Sequence, residues 1–360
     1  MSERRRTRLV VLFGGRSAEH EVSCISALHV LRAADPERFD VVPIGITREG
    51  RWVDTSEAIA ALASGANALP SPDDTDATEL DPLPAIAPAG RETGDVVVFP
   101  LVHGPMGEDG TVQGLLELAG VPYVGAGVLA SALCMDKTAA RDVLAAHGLP
   151  QPRWIAAREH DIDATFIARV TAELGLPVFV KPANLGSSVG VTKVVDRDRL
   201  ESALTEALRY DEYVVVEEAV VGREIEVAVL GNASPRASVP GEIRPSHEFY
   251  DFDDKYLDGN AGLLVPAPLA PEAADEVRRL AVAAYRALRV DGMARVDFFY
   301  EEAGRGLLIN ELNTVPGFTP ISMYPKLWEA SGLAYGELVD ELVRLALERH
   351  ARRSRFDTKR

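Results

Sequence analysis

Apolar and polar positions alternate along this chain in three blocks. A strand is predicted over residues 8–13, apolar from Leu9 onward and stopped by Gly14-Gly15, with a helical pattern from Ser17-Ala18-Glu19 to about residue 33. A strand, a glycine turn and a helix open an α/β unit. A second strand covers about 40–46, and a third runs from Asp95 to Leu101 into His103-Gly-Pro-Met-Gly-Glu108-Asp109-Gly110 and another helix. Residues 55–93, rich in Ala, Pro, Asp, Ser and Thr, have little to bury and read as part helix, part surface insertion.

The second block begins near Gly125. A helix starts at Asp136-Lys137-Thr138 and stops at His147-Gly148. Strands are predicted at Leu176–Lys181, Val191–Val195 and Tyr213–Val216, with a helix at Asp196–Tyr210 carrying Leu200, Leu204 and Leu208 at i,i+4 spacing. The third block alternates strands with an amphipathic helix over about 271–289 and includes a polar, aromatic loop from Glu248 to Tyr256. This order predicts a fold that is α/β and α+β, with domains at 1–125, 126–221 and 222–360.

Composition narrows the class. A chain of 360 residues can bury two or three cores, and its apolar content of 47% is ordinary. Its net charge of −17 argues against a nucleic-acid partner, yet local lysines can still hold a small anion in a cleft. No apolar run approaches the ~20 residues that span a bilayer. Cys24 and Cys134 lack metal-ligand spacing and read as buried thiols in a reducing compartment, which makes the cytoplasm the expected location.

Candidate chemistry concentrates near the C-terminal end. Two short apolar runs carry Arg295-Val-Asp297 and Glu311-Leu-Asn313. Alternation puts Arg295 with Asp297 on one strand face, and Glu311 with Asn313 on one face of the next. If the faces coincide, hard oxygen ligands converge beside a guanidinium, which suits magnesium carrying substrate phosphates. The alternative is a salt-bridged outer sheet face. Gly186-Ser187-Ser188-Val-Gly190 lies between two predicted strands, so it matches neither a Walker loop nor a dinucleotide fingerprint. It is either an ordinary hairpin or a turn folded over phosphates, with Lys137 and Lys181 nearby in sequence.

Seven stretches, in order from residue 12 to residue 325, resemble the D-alanine–D-alanine ligase family of ATP-grasp enzymes: LFGGRSAEHEVS, HGPMGEDGTVQG, MDK, KPANLGSSVG, EFYDFDDKY, RVDFF and NELNTVPGFTPISMYP. The resemblance implies an ATP-grasp fold behind an N-terminal parallel-sheet domain, and ligation of two D-alanines through D-alanyl phosphate for peptidoglycan precursors. It implies ATP as co-substrate with two magnesium or manganese ions, leaves a monovalent-cation activator open, and suggests a homodimer without nucleic-acid or membrane partners.

Carried onto this chain, the family pattern makes Lys137, Lys181, Gly186, Ser188, Glu217, Glu218, Val220 and Glu224 ATP-binding residues. Relatives that carry Lys and an aromatic after the first Glu differ here, where Glu218 and Ala219 stand. Asp297, Glu311 and Asn313 match the metal ligands. Glu19, Ser187 and Tyr256 match a latch that closes the site over the first D-alanine. Arg295 and the backbone N–H of Gly317 match the oxyanion stabilisers. His103, Lys255 and Ser322 match substrate contacts. The rival readings are a D-alanine–D-lactate ligase, a regulatory ATP binder and a dehydrogenase, the last weakened by the absence of G-x-G-x-x-G.

Overall fold

The computed structural model describes residues 6–58, 65, 69, 71–74, 77–87, 96–244 and 262–357. The first sheet contains β1 (Thr7–Gly14), β2 (Phe39–Ile46), β3 (Trp52–Asp54) and β4 (Val96–Pro100), in the order β3-β2-β1-β4. β1 runs parallel to both β2 and β4, and β3 is antiparallel, so the sheet is mixed and mostly parallel. Leu9, Val11 and Phe13 enter one core and Val10 and Leu12 another, so β1 is covered on both sides, which explains its unbroken apolar run.

The second sheet is antiparallel throughout: β5 (Trp154–Arg158), β6 (Val178–Pro182), β7 (Thr192–Val194) and β8 (Tyr213–Glu218), in the order β5-β8-β6-β7. Val178, Val180, Val214 and Val216 send alternate side chains to the helices Ala164–Glu173 and Leu200–Ala207. The predicted helix at Asp196–Tyr210 is shorter as an α-helix, because Arg197–Arg199 winds as a 3-10 turn.

The third sheet is built from β9 (Arg223–Leu230), β10 (Arg236–Ala237), β11 (Gly241–Arg244), β12 (Gly262–Leu264), β13 (Met293–Glu301) and β14 (Gly306–Asn313). Its order is β12-β11-β9-β13-β14, with β10 also paired to β9. One face packs on the helix Pro271–Ala287 through Ile225, Val227, Ala294 and Val296. The helices Val128–Met135 and Lys137–Ala146 join this same core through Ala130, Cys134, Ala140 and Leu144, although they precede the second sheet in sequence. The last helix, Tyr335–Arg353, buries Leu338, Leu342 and Leu345 in a cluster with Leu9 and Phe13 of β1. Both cysteines are free and buried, and burial pushes the Cys24 thiol up to about 12. Among the described residues no helix is long and apolar enough to cross a membrane.

Candidate active site

Three adjacent strands of the third sheet carry the chemistry. β13 pairs with β14 so that Arg295 stands opposite Asn313 and Asp297 opposite Glu311; on its other side Asp297 stands opposite Glu226 of β9. Along β14, Leu307 and Ile309 are core residues, and strict alternation would send Glu311 and Asn313 into the core after them. A register shift between Asp297 and Phe298 leaves Asn310 as an extra residue. Leu312 therefore takes the next core position, and Glu311 and Asn313 turn to the face of Arg295 and Asp297.

Arg295 organises that face. Its Nε and Nη2 each donate to Asp297 at 2.7 Å, and Nε lies 3.2 Å from Glu226 Oε2. Burial works against its charge, but Asp297 and Glu226 more than offset this and hold it well above the ordinary arginine value. Asn313 Oδ1 accepts the Val315 N–H at 3.0 Å, tying the strand end to the turn that follows.

A cavity of about 420 Å³ opens over this face. The third sheet and its following turn contribute Glu226, Arg295, Glu311, Asn313, Gly317 and Ser322; the first domain contributes Glu19, His103 and Glu108; the phosphate-type loop contributes Gly186 and Ser187; and Lys137 completes it. A Cβ on Gly317 would stand 2.7 Å from Ser322 Oγ, so a side chain at 317 would have to displace the Ser322 hydroxyl. That hydroxyl is held by the N–H of Thr319 at 3.0 Å and by the Thr319 hydroxyl at 2.8 Å.

The loop lies between β6 and β7, and Ser187 (φ 52°) and Ser188 (φ 60°) both adopt left-handed backbone. Two such non-glycine residues in succession store roughly 1–3 kcal/mol each, a strain found at ligand clamps. Asp136 caps the helix Lys137–Ala146 by accepting from the N–H groups of Thr138 and Ala139, which sets Lys137 at its first position. Lys137 Nζ donates to Leu185 O at 2.5 Å, and burial pulls its pKa below the ordinary lysine value.

Lys181, Ser188, Glu217, Glu218, Val220, Glu224 and, among the expected metal ligands, Asp297 do not line the cavity. Lys181 Nζ lies 3.2 Å from Glu217 Oε1, and Arg141 takes the other oxygen of Glu217. The carboxylate of Glu218 is held by Arg153, at 2.8 Å from the backbone N–H and 2.7 Å from Nε, and by Arg305. Both acidic side chains are thus engaged inside the protein, and the backbone of β8 is itself paired on both sides, with β5 and with β6. Tyr256 and Lys255 lie outside the described residues.

His103 is buried, and burial lowers its pKa, so the ring is neutral. Nδ1 lies 3.0 Å from Val315 O and therefore donates, while Nε2 lies 3.4 Å from Ser26 Oγ, which also accepts the Phe318 N–H at 3.2 Å. The imidazole and Ser26 together pin the turn containing Gly317.

Three residues were not singled out as site residues in the sequence. Glu226 is two positions past Glu224 on β9, a spacing that could have placed it beside Asp297. Arg141 is one helical turn past Lys137, the same-face spacing. Glu108 stood in a recognised motif without a role; burial, and then Glu19, push its carboxyl up to about 8.

A phosphate-type loop, two lysines and an acid-rich sheet face on antiparallel α+β domains define an ATP-grasp carboxylate ligase. Residues 8–126 match the family described as D-ala D-ala ligase N-terminus, and residues 143–344 the family described as D-ala D-ala ligase C-terminus. The chain is 46% identical to the D-alanine–D-alanine ligase of Geobacillus kaustophilus over 364 aligned positions, covering 96% of each. It is 51% identical to that of Nocardia farcinica, covering 96% of this chain and 98% of the relative. Among solved structures, the D-alanine-D-alanine ligase of Coxiella burnetii superposes with a TM-score of 0.79 at 36% identity, covering 97% of this chain and 98% of that one. The VanG D-Ala:D-Ser ligase of Enterococcus faecalis gives 0.83 at 34% identity, covering 95% and 99%. The chain belongs to the D-alanine–D-alanine ligase family.

Proposed function

We infer that this chain joins two D-alanine molecules into D-alanyl-D-alanine at the expense of ATP, supplying the dipeptide of peptidoglycan precursors. The observation that carries the site assignment is the cross-strand register, Arg295 opposite Asn313 and Asp297 opposite Glu311, with Arg295, Glu311 and Asn313 lining a cavity shared with Glu19, Ser187 and Gly317.

The first D-alanine carboxylate attacks the γ-phosphate of ATP, forming D-alanyl phosphate and ADP. The protein's part in this step is positioning and charge, because a loose phosphoryl-transfer transition state needs little covalent help. Lys137 and Lys181 neutralise phosphate oxygens; Gly186, Ser187 and Ser188 fold over them. The backbone of Glu217, Glu218 and Val220 borders the adenine, and Glu224 holds the ribose. Asp297, Glu311 and Asn313 offer only hard oxygens and so fit magnesium or manganese. Among the described residues no three His, Cys, Asp or Glu converge as a metal site, so that set is two carboxylates and an amide. When bound, the divalent ions supply positive charge to the transferring phosphates.

The second D-alanine attacks the acyl phosphate through its free amine, giving a tetrahedral intermediate that expels phosphate. Arg295 and the Gly317 N–H stabilise its oxyanion. Ser322 receives the acceptor carboxylate, Lys255 contacts the transferring phosphate, and His103 holds the Gly317 turn beside the first substrate. Glu19, Ser187 and Tyr256 close the site so that water does not hydrolyse the acyl phosphate. A cytoplasmic location, where ATP and D-alanine are supplied, and a homodimer by analogy with the family belong to the same proposal.

The test is to supply ATP, magnesium and D-alanine, follow ADP and phosphate release, and identify the dipeptide by mass. Equal D-alanine, D-serine and D-lactate near pH 8 then set the acceptor. D-alanyl-D-alanine should dominate, because the acceptor amine loses its proton readily beside cations, and activity should fall as pH drops and that amine stays protonated. Dominance of a D-serine or D-lactate product would overturn the acceptor assignment, and ATP binding without ADP release would overturn the ligase reading.

A further inference from the structure

One face of the second sheet carries a buried charge cluster with more cation than acid. In β6 and β8, Val178, Val180, Val214 and Val216 face the helices of their own domain, so alternation turns Phe179, Lys181 and Glu217 to the opposite face. Phe179 stands opposite Glu217 across the two strands, which puts Lys181 one same-face position further along. Lys137 and Arg141 lie one turn apart on the helix Lys137–Ala146. That helix reaches the sheet face through Arg141, whose Nη2 donates to Glu217 Oε2.

Glu217 is shared between two cations. One oxygen takes Arg141, and the other lies 3.2 Å from Lys181 Nζ. Glu217 and Arg141 are buried, and the Lys181 side chain is only 13% exposed. Arg141 Nε and Nη1 are buried without a hydrogen-bond partner among the described residues. Buried donors left unmet are costly, so hydrogen bonding alone does not account for an arginine here. Its charge does.

A carboxylate and an ammonium 3.2 Å apart largely cancel at a distance. Lys181 paired with Glu217 alone would therefore present little net charge to a phosphate. The guanidinium is always protonated, and with it the trio carries a net positive charge. Lys137 lies close enough to feel the group: burial lowers its pKa most, and the positive charges of Lys181 and Arg141 add to the fall.

We propose that Arg141 is a positioning residue for the nucleotide: by neutralising Glu217 it leaves the Lys181 charge to the ATP phosphates. This rests on the ATP-dependent ligase reading above and adds a residue to it. Without the guanidinium, Glu217 competes with the phosphates for Lys181. Arg141 itself touches no part of the nucleotide, so its effect runs through Glu217 and vanishes when that carboxylate is removed.

The test is a double-variant cycle in the full chain: Arg141→Met, Glu217→Gln and the two together. The readouts are the KM for ATP, the KM for D-alanine and the inhibition constant of adenosine. Arg141→Met should raise the ATP KM at least about tenfold, the size of one interaction with a charged group. The D-alanine KM and adenosine inhibition should stay within about twofold, because neither ligand carries a phosphate for Lys181 to bind. Arg141→Lys keeps the charge and should recover most of the loss. On the Glu217→Gln background the Arg141→Met change should move the ATP KM by less than about twofold, because the two residues act as a unit. The double variant strands no buried carboxylate, so it decides the matter even where Arg141→Met alone fails to fold. An ATP KM unmoved by Arg141→Met, an equal rise for adenosine and ATP, or a rise that persists in full on the Glu217→Gln background would overturn the proposal. A parent enzyme that releases no phosphate from ATP with D-alanine would refute the ligase reading itself; an active parent with any of those three results refutes this inference alone.

Discussion

The second and third sheets both hold buried acidic residues beside arginine or lysine, but their charge balance is opposite. On β8, Glu217 faces Lys181 and Arg141, and Glu218 faces Arg153 and Arg305, so cations outnumber acids. On the third sheet, Glu226, Asp297 and Glu311 stand in one row across three strands with Arg295 as their cross-strand cation. The first arrangement is suited to phosphate oxygens, the second to added metal cations. On the function proposed above, a triphosphate carrying metal ions would be complementary to both at once.

The sharpest way to break this comparison is to remove charge from the acid-rich side. Glu311→Gln should cost on the order of 10²-fold or more in turnover, comparable to losing one well-placed electrostatic group, because one metal loses an anionic ligand. Steady-state ADP release at saturating magnesium measures this, and near-normal turnover would sink the metal assignment.

On the cation-rich side the larger effect should fall on stability. Arg141 and Glu217 are both buried, with side-chain exposures of 3% and 1%. Arg141→Leu leaves the buried Glu217 carboxylate, among the described residues, with Lys181 as its remaining cation and should destabilise by about 3–5 kcal/mol. Glu218 pairs with arginines that are 59% and 42% exposed, so Glu218→Gln should cost less than about 1 kcal/mol. Denaturant melts of the two variants compare them directly, and equal losses would show that burial does not separate the two pairs.

The closure proposed above would tie the two sides together. Ser187→Ala and Tyr256→Phe should each lower turnover, and the double variant should lose less than the product of the single factors, because a shared hydrogen-bond network is non-additive. Strictly multiplicative losses would show that the groups do not meet.

The smallest effect is a pH dependence at the edge of the comparison. The hydrogen bond from Arg305 holds the Glu301 carboxyl down to about 2. A depressed folded pKa adds stability above the unfolded carboxylate's range, and that increment is lost as pH falls toward about 2. Glu301→Gln should therefore cost at most about 1 kcal/mol near neutral pH and nothing at the acid end. A constant difference between the two proteins from pH 7 to pH 2 would contradict the pairing.

Much of this was legible in the residue order. The unbroken run of β1, the alternation of Arg295 with Asp297, and the placement of Gly186–Gly190 between strands follow from periodicity and turn chemistry, which are local properties. Other features depend on residues far apart in sequence. Strict alternation keeps Glu311 and Asn313 together but cannot tell which face they take; the extra residue Asn310 decides it, by letting Ile309 and Leu312 both reach the core. Glu108 carries no local signal, because its environment is made by Glu19 and the Gly186 loop, which only folding brings near.

The sequence by itself determined the element types, the chemistry available and the strand faces within each strand, since those depend on neighbours one to four positions away. Only the tertiary structure decided which faces meet. It sent the last helix back to the core of the first domain and the helices at 128–146 to the third sheet, because their apolar stripes are completed by surfaces that no spacing rule specifies. It also brought Lys137 within the field of both Glu311 on β14 and Glu217 on β8, a proximity between separate domains that no single strand encodes.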